Sequence, residues 1–184
     1  MSESLFVTPD TEVISGATFS DDGLYRYRLW RTWNPNLPTM VWIMLNPSTA
    51  DAEVDDPTIR RCIGFAKREG CGGIEVVNLY ALRATKPAHL LHHPDPEGPL
   101  NWMHWKSVVN DPRTSAVVVA WGAGAEAGGL PGSKANHMGI LADGSNKAVC
   151  LGATKSGHPR HPLYVKADAP FVPFLWLPVP PEGR

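Results

Sequence analysis

The sequence predicts an α/β fold of three layers: a mainly parallel central sheet of about four core strands, with a β-hairpin ahead of it. Three observations carry this expectation. Four short apolar runs, at 40–45, 74–79, 116–121 and 148–152, are each bounded by turn residues, the pattern of strands buried on both faces. Helical patterns lie between them, as parallel strands require. The chain of 184 residues is the size of one domain, read here as a hairpin at 15–33, a core at 39–165 and an irregular tail at 169–184.

Residues 1–14 carry no clear signal. Residues 17–20 and 24–33 read as a β-hairpin around Asp21-Asp22-Gly23, where Gly23 supplies the positive φ of the turn. Strict alternation places Tyr25, Tyr27 and Leu29 on one face and Arg26, Arg28 and Trp30 on the other. Arg26 and Arg28 are expected on a solvated edge face that blocks further pairing; phosphate contact is the functional alternative. Residues 34–38 (NPNLP) turn the chain into the first core strand.

That strand ends at Asn46-Pro47-Ser48-Thr49, a polar turn in which Pro47 cannot donate to a ladder. A helix is expected from about 57 to 69. Asp56 is a suitable N-cap and Pro57 a suitable first residue. Ile59, Cys62, Ile63 and Ala66 share its apolar face, and Gly70, Gly72 and Gly73 end it. The strand at 74–79 completes a βαβ unit and leads into a second polar end, Tyr80 to Thr85.

Four prolines make 86–99 a rigid loop. Its adjacent His92 and His93 lack the facial geometry of a helical metal-binding pair. A short helix at 100–110, stopped by Asp111-Pro112, precedes the third core strand. Gly122-Ala123-Gly124 follows that strand, but neither nucleotide-binding glycine fingerprint is completed. Helix-compatible residues run through 133–141. The fourth strand feeds a basic, histidine-bearing loop from Lys155 to Tyr164 that contains His158, Arg160 and His161. The tail, rich in proline and aromatics, is expected to pack without regular structure.

A net charge of −1 neither draws the whole chain to nucleic acid nor excludes a local basic patch. No stretch is apolar enough to span a membrane, and the N-terminus lacks a signal-peptide pattern, so a cytoplasmic location without membrane contact is expected. Cys62, Cys71 and Cys150 form no C-x-x-C spacing; Cys62 and Cys150 read as reduced thiols in the core, with no metal or cofactor expected.

Ligands of open α/β sheets bind at the carboxyl ends of the strands. Three of the four strand ends here carry polar groups: Asn46 to Thr49, Asn78 with Tyr80 and Arg83, and His158 to His161. The plainer reading of each is a turn or cap residue; together they imply one concave site.

The segments MLNPSTADAEVDDPTIRRC, EVVNLYALRAT, VVVAWG and GHPRHPLY closely resemble an uncharacterised bacterial and phage domain family that supplies no established activity. A more distant similarity is to the uracil-DNA glycosylase superfamily. That superfamily has an Asn-Pro or Asp-Pro motif after the first core strand, an Asn ending a later strand and a His-Pro after the last. Asn46-Pro47-Ser48, Asn78 and His161-Pro162 look like these in the same order. The resemblance implies a uracil-DNA-glycosylase-like fold and hydrolysis of an N-glycosidic bond at a modified or damaged base. Asn46 would orient water through its amide, and Asn78 would pair with a flipped base. His161, or His158, would donate to the base carbonyl as charge develops. Pro47, Ser48, Thr49, Tyr80, Arg83 and Arg160 would complete the binding surface, with nucleic acid or a nucleotide as partner. The departures are the lack of an evident stacking aromatic, for which Tyr80 and Trp33 are candidates, the lack of a wedge after His161, and the acidic stretch 51–56.

Two other classes compete. One is a non-catalytic nucleic-acid or nucleotide binding module on the same fold. The other is a metal-dependent hydrolase using Asp51, Asp55 and Asp56 with a histidine. A basic rim from Arg60, Arg61, Arg83, Lys155 and Arg160 would favour nucleic acid. Asp55 and Asp56 have the simpler reading of helix capping.

Overall fold

The structure, a computed structural model, describes residues 13–48, 53–123 and 148–174. Four strands form its centre: β3 (Thr39–Met44), β4 (Gly73–Asn78), β5 (Thr114–Val119) and β6 (Ala148–Cys150). They are parallel, with Met44 beside Asn78, Ile43 beside Val119 and Val118 beside Val149. β4 is buried throughout, and β3 is buried from Met40 onward. This is the physical reason their sequences read as continuous apolar runs.

The sheet is wider and more mixed than the sequence suggests. The hairpin strands β1 (Ile14–Phe19) and β2 (Arg26–Thr32) join it, because β2 pairs antiparallel with β4. At the other edge β7 (Val172–Pro173) pairs antiparallel with β6, although the segment from 169 is expected to be irregular. Seven described strands run in the order β1-β2-β4-β3-β5-β6-β7, and three of the six pairings are antiparallel. A parallel centre leaves exposed ladder edges, and antiparallel strands from the two ends of the described chain cover them.

Helix α1 (Pro57–Arg68) begins as its sequence predicts. Asp56 accepts from the Ile59 N–H (2.9 Å), and Pro57 stands in the first turn. It packs Ile59, Cys62, Phe65 and Ala66 onto Met40, Trp42, Met44, Ile74, Val76 and Val118. Helix α2 (Asn101–Val109) buries Trp105, Val108 and Val109 against Val41, Ile43, Val77, Val117 and Val119, the residues of alternate parity on the same strands. One described helix therefore lies on each face. A 3-10 helix, Pro87–His92, interrupts the loop expected at 86–99. The helix expected at 133–141 lies outside the described residues.

The strand order creates a switch point. From β3 the chain passes through α1 to β4 on one side; from β4 it passes through α2 to β5, on the other side of β3. β3 and β5 are thus neighbours whose onward connections diverge, which opens a crevice at their carboxyl ends.

Alternation along β2 breaks at a β-bulge. Thr18 faces Arg28 and Phe19 faces Arg26, so Tyr27 is the extra residue. Tyr27 stacks on His104 of α2 with centroids 5.0 Å apart, while Leu29 packs on the α1 face. The expected grouping of Arg26 with Arg28 and Trp30 fails for this reason, since a bulge reverses the faces beyond it.

Candidate functional site

A cavity of about 710 Å³ opens at the carboxyl edge of the sheet, within the range of small-molecule sites. Met44, Leu45, Asn46 and Ser48 line it from the end of β3, and Trp121, Gly122 and Ala123 from beyond β5. Val76 and Asn78 line it from β4, and Asp56, Thr58 and Ile59 from the start of α1. Thr154, Arg160, His161, Leu163 and Tyr164 close the far side. Asn46, Ser48, Asn78, Arg160 and His161, all named from sequence, meet in this one space.

Asn78 ends β4 and is only 1% exposed. Its main-chain carbonyl is held from the α2 face, accepting from Asn101 Nδ2 (3.0 Å) and Trp105 Nε1 (2.7 Å). Its side-chain Nδ2 is enclosed and has no hydrogen-bond partner among the described residues. An enclosed amide left unpaired costs about 1–3 kcal/mol, and a ligand acceptor would remove that cost.

Asn46 is oriented the opposite way. Its Nδ2 donates to the carbonyls of Pro47 (2.9 Å) and Ala84 (2.6 Å), tying the loop after β3 to the loop after β4. The turn reading of Asn46 therefore holds for its NH₂ end. Its Oδ1 remains an acceptor on a fixed amide.

His161 caps the short 3-10 helix Pro162–Tyr164, its Nδ1 accepting from the Leu163 N–H at 3.3 Å. A neutral imidazole that accepts at Nδ1 carries its proton on Nε2 and can donate there. Burial pushes the His161 pKa below its ordinary value of 6.5, and the Asp56 carboxylate partly opposes this. Gly122 permits the approach of this loop. It has φ +70°, its N–H donates to the Pro159 carbonyl (2.9 Å), and a Cβ there would sit 3.2 Å from the His161 Cβ.

Other expected residues lie elsewhere. Pro47 is used through its carbonyl and does not line the cavity. Tyr80 belongs to the core on the α2 face. Trp33 donates to the Cys71 carbonyl (3.0 Å) at the far end of β2. Arg83 donates to the Gly23 carbonyl (3.1 Å) and covers the Phe19 ring, fastening the hairpin. His158 is outside the lining and closes a turn with Thr154. Thr49 and Asp51 lie outside the described residues, as does Gly124.

The basic rim reduces to Arg160, whose Nε donates to the Ala153 carbonyl (3.1 Å). Arg60 donates to the Asp55 carbonyl, and Arg61 joins α1 to the carbonyls of Pro162 and Val165. The aspartates are also engaged. Asp56 caps α1, and Asp55 pairs with the buried Arg31 at 2.8 Å. No three potential metal ligands cluster among the described residues.

Arg26, Trp121 and Tyr164 are among the lining residues that were not read from the sequence as members of the site. Arg26, expected in solvent, is 3% exposed and lines the cavity. Arg28, its expected companion, is bound to Glu75 through Nε at 2.7 Å on the other face. Trp121 and Tyr164 supply the aromatic surface sought at Tyr80 and Trp33, Tyr164 being 82% exposed and 5.6 Å from the His161 ring. An Arg among aromatics in a strand was the available signal for Arg26, but the bulge that aims it is a pairing property.

The family described as "Protein of unknown function (DUF1643)" matches residues 26–163. Searches of the curated proteins and of the solved structures each returned no match. No described helix is long and apolar enough to cross a membrane.

Proposed function

The chain belongs to the DUF1643 family of proteins of unknown function, and from that premise we propose that its cavity binds a nucleobase and hydrolyses the N-glycosidic bond to it. The observation that carries the reading is the enclosed Nδ2 of Asn78, without a hydrogen-bond partner among the described residues, in the wall of a cavity shared with His161. A planar base with a carbonyl facing Asn78 would supply the missing acceptor.

Water attacks the sugar carbon, the carbon–nitrogen bond breaks and its electron pair leaves with the base, and the proton lost by the water passes to solvent while the base anion takes one up. Asn46 Oδ1, fixed by the two bonds of its amide nitrogen, accepts from the water and orients it. His161 Nε2–H donates to a base carbonyl as negative charge gathers there. Trp121 and Tyr164 offer stacking surface, and Arg160 a phosphate contact at the mouth. The partner on this reading is a nucleic acid or nucleotide in the cytoplasm. The fold that accompanies it is the three-layer uracil-DNA-glycosylase-like arrangement, supported by the parallel centre and by helices packed on opposite faces.

The test is a panel of single- and double-stranded oligonucleotides carrying modified or damaged bases, with free nucleosides, assayed for base release and binding. His161→Ala should lower turnover about a hundred- to a thousandfold with binding retained. Asn78→Ala should weaken binding itself. Binding without release makes the protein a non-catalytic module, and neither across the panel removes the reading.

A further inference from the structure

Asp56 precedes α1 and Asn78 ends β4, yet both border the cavity from the same face of the sheet. Val76 and Asn78 are two residues apart on one strand, so their side chains share a face. Val76 packs in one cluster with Ile59 of α1. Asp56 is tied to Ile59 by the helix cap, its Oδ1 accepting from the Ile59 N–H at 2.9 Å. All four residues line the cavity. Its β4–α1 side therefore carries two polar groups of opposite kind: the enclosed donor Asn78 Nδ2 and a carboxylate.

The helix cap uses one oxygen of the Asp56 carboxylate. The other, Oδ2, has no hydrogen-bond partner among the described residues. Asp55 differs, since its carboxylate is bonded to the buried Arg31. An ionised carboxylate accepts and cannot donate, so it calls for hydroxyl or amino donors on a ligand and repels a phosphate set against it. The cavity is also wider than one base requires. A flipped base is held in a snug pocket, whereas about 710 Å³ lies in the upper half of the range of sites that enclose whole small molecules. A base against Asn78 leaves room for its sugar.

We propose that Asp56 is the sugar subsite of this cavity, accepting from the 2′- and 3′-hydroxyls of a ribonucleoside whose base lies against Asn78. The inference rests on the nucleobase reading and narrows it to ribonucleosides with both hydroxyls unesterified. An acidic side chain holds the ribose 2′-hydroxyl in the same manner in dinucleotide sites. Within an RNA strand the 3′ oxygen is esterified, and its phosphate would lie against the carboxylate. DNA offers no 2′-hydroxyl at all. A free ribonucleoside, or its 5′-nucleotide, meets the carboxylate with donors alone.

The experiment is calorimetric titration of the full chain with adenosine, guanosine, cytidine and uridine, their 2′-deoxy counterparts, and the 5′-monophosphates of both sets. For the preferred base, the ribonucleoside should bind about ten- to a hundredfold more tightly than the 2′-deoxynucleoside, as expected of charge-assisted bonds. The monophosphates carry the same sugars and should show the same gap. Asp56→Ser should close it, because serine caps a helix as well as aspartate does but has a single oxygen for that duty. Asp56→Asn keeps the cap and the size and replaces the second oxygen with NH₂, so it should narrow the gap; it also covers the case in which the serine variant does not fold. Equal affinity for ribose and deoxyribose forms in the wild type overturns the sugar subsite while the nucleobase reading stands. A gap that survives both Asp56 variants places the hydroxyls elsewhere and overturns it too. Binding of oligonucleotides without binding of any nucleoside or monophosphate overturns the narrowing to ribonucleosides, and absence of binding throughout removes both readings.

Discussion

His161 sits where burial and a neighbouring charge pull its imidazole in opposite directions. Desolvation disfavours the cation and dominates; the Asp56 carboxylate favours it. The His104 pKa is lowered as well, by burial first and by Arg28 second. A histidine with a depressed folded-state pKa contributes stability at neutral pH that is lost on acidification. The unfolded chain begins to take up the proton near 6.5, before the folded chain does. The thermal midpoint should therefore fall as pH drops below about 6.5, and the fall should be shallower in a His104→Gln/His161→Gln double variant. Asp56→Asn removes the opposing charge, so the His161 titration followed by NMR should move further down. An unmoved titration would mean that Asp56 does not act on this ring.

At the scale of the element, the start of α1 has two duties. Asp56 satisfies the Ile59 N–H and also lines the cavity, while Asp55 holds the buried Arg31 of β2. The helix is thus anchored at the point where it borders the site. Asp56→Ala should cost about 1 kcal/mol in urea denaturation through loss of the cap, and Asp56→Asn should cost much less, since Asn caps as well as Asp. Equal losses in the two variants would point to the charge instead of the cap. The bulge in β2 is the other decisive element. It carries Tyr27 to α2 and leaves Arg26 at the cavity, from a sequence whose alternation alone assigns them otherwise.

Across the whole molecule, the sheet joins a core on one face to a site that borders the other. α2 packs on the face opposite α1, yet Trp105 and Asn101 hold the carbonyl of Asn78, whose side chain lines the cavity beside Val76 and Ile59. Trp105→Phe keeps most of the packing volume and removes one bond to that carbonyl. It should lower stability by about 1 kcal/mol in chemical denaturation and weaken ligand binding, although residue 105 does not line the cavity. Unchanged affinity would show that Asn101 alone suffices to position Asn78.

Burial periodicity, caps and turn residues are local, and they determined much of this protein. The four core strands, the start of α1, the Gly23 turn and the polar strand ends follow from neighbours within a few residues, because each secondary structure has its own period and its own way of satisfying backbone groups. Asn46, Asn78 and His161 were legible for the same reason, as polar residues that end apolar runs. Tertiary structure alone decided the rest. Which strands neighbour one another fixed the β3–β5 crevice, and pairing between β1 and β2 fixed the bulge that aims Arg26. Packing sent Tyr80 to the core and Arg83 to the hairpin, and left Trp121 and Tyr164 at the cavity. Those outcomes depend on which segments meet in space, from Phe19 opposite Arg26 across the hairpin to Arg83 and Gly23, 60 residues apart, and the pattern within one element holds no record of them.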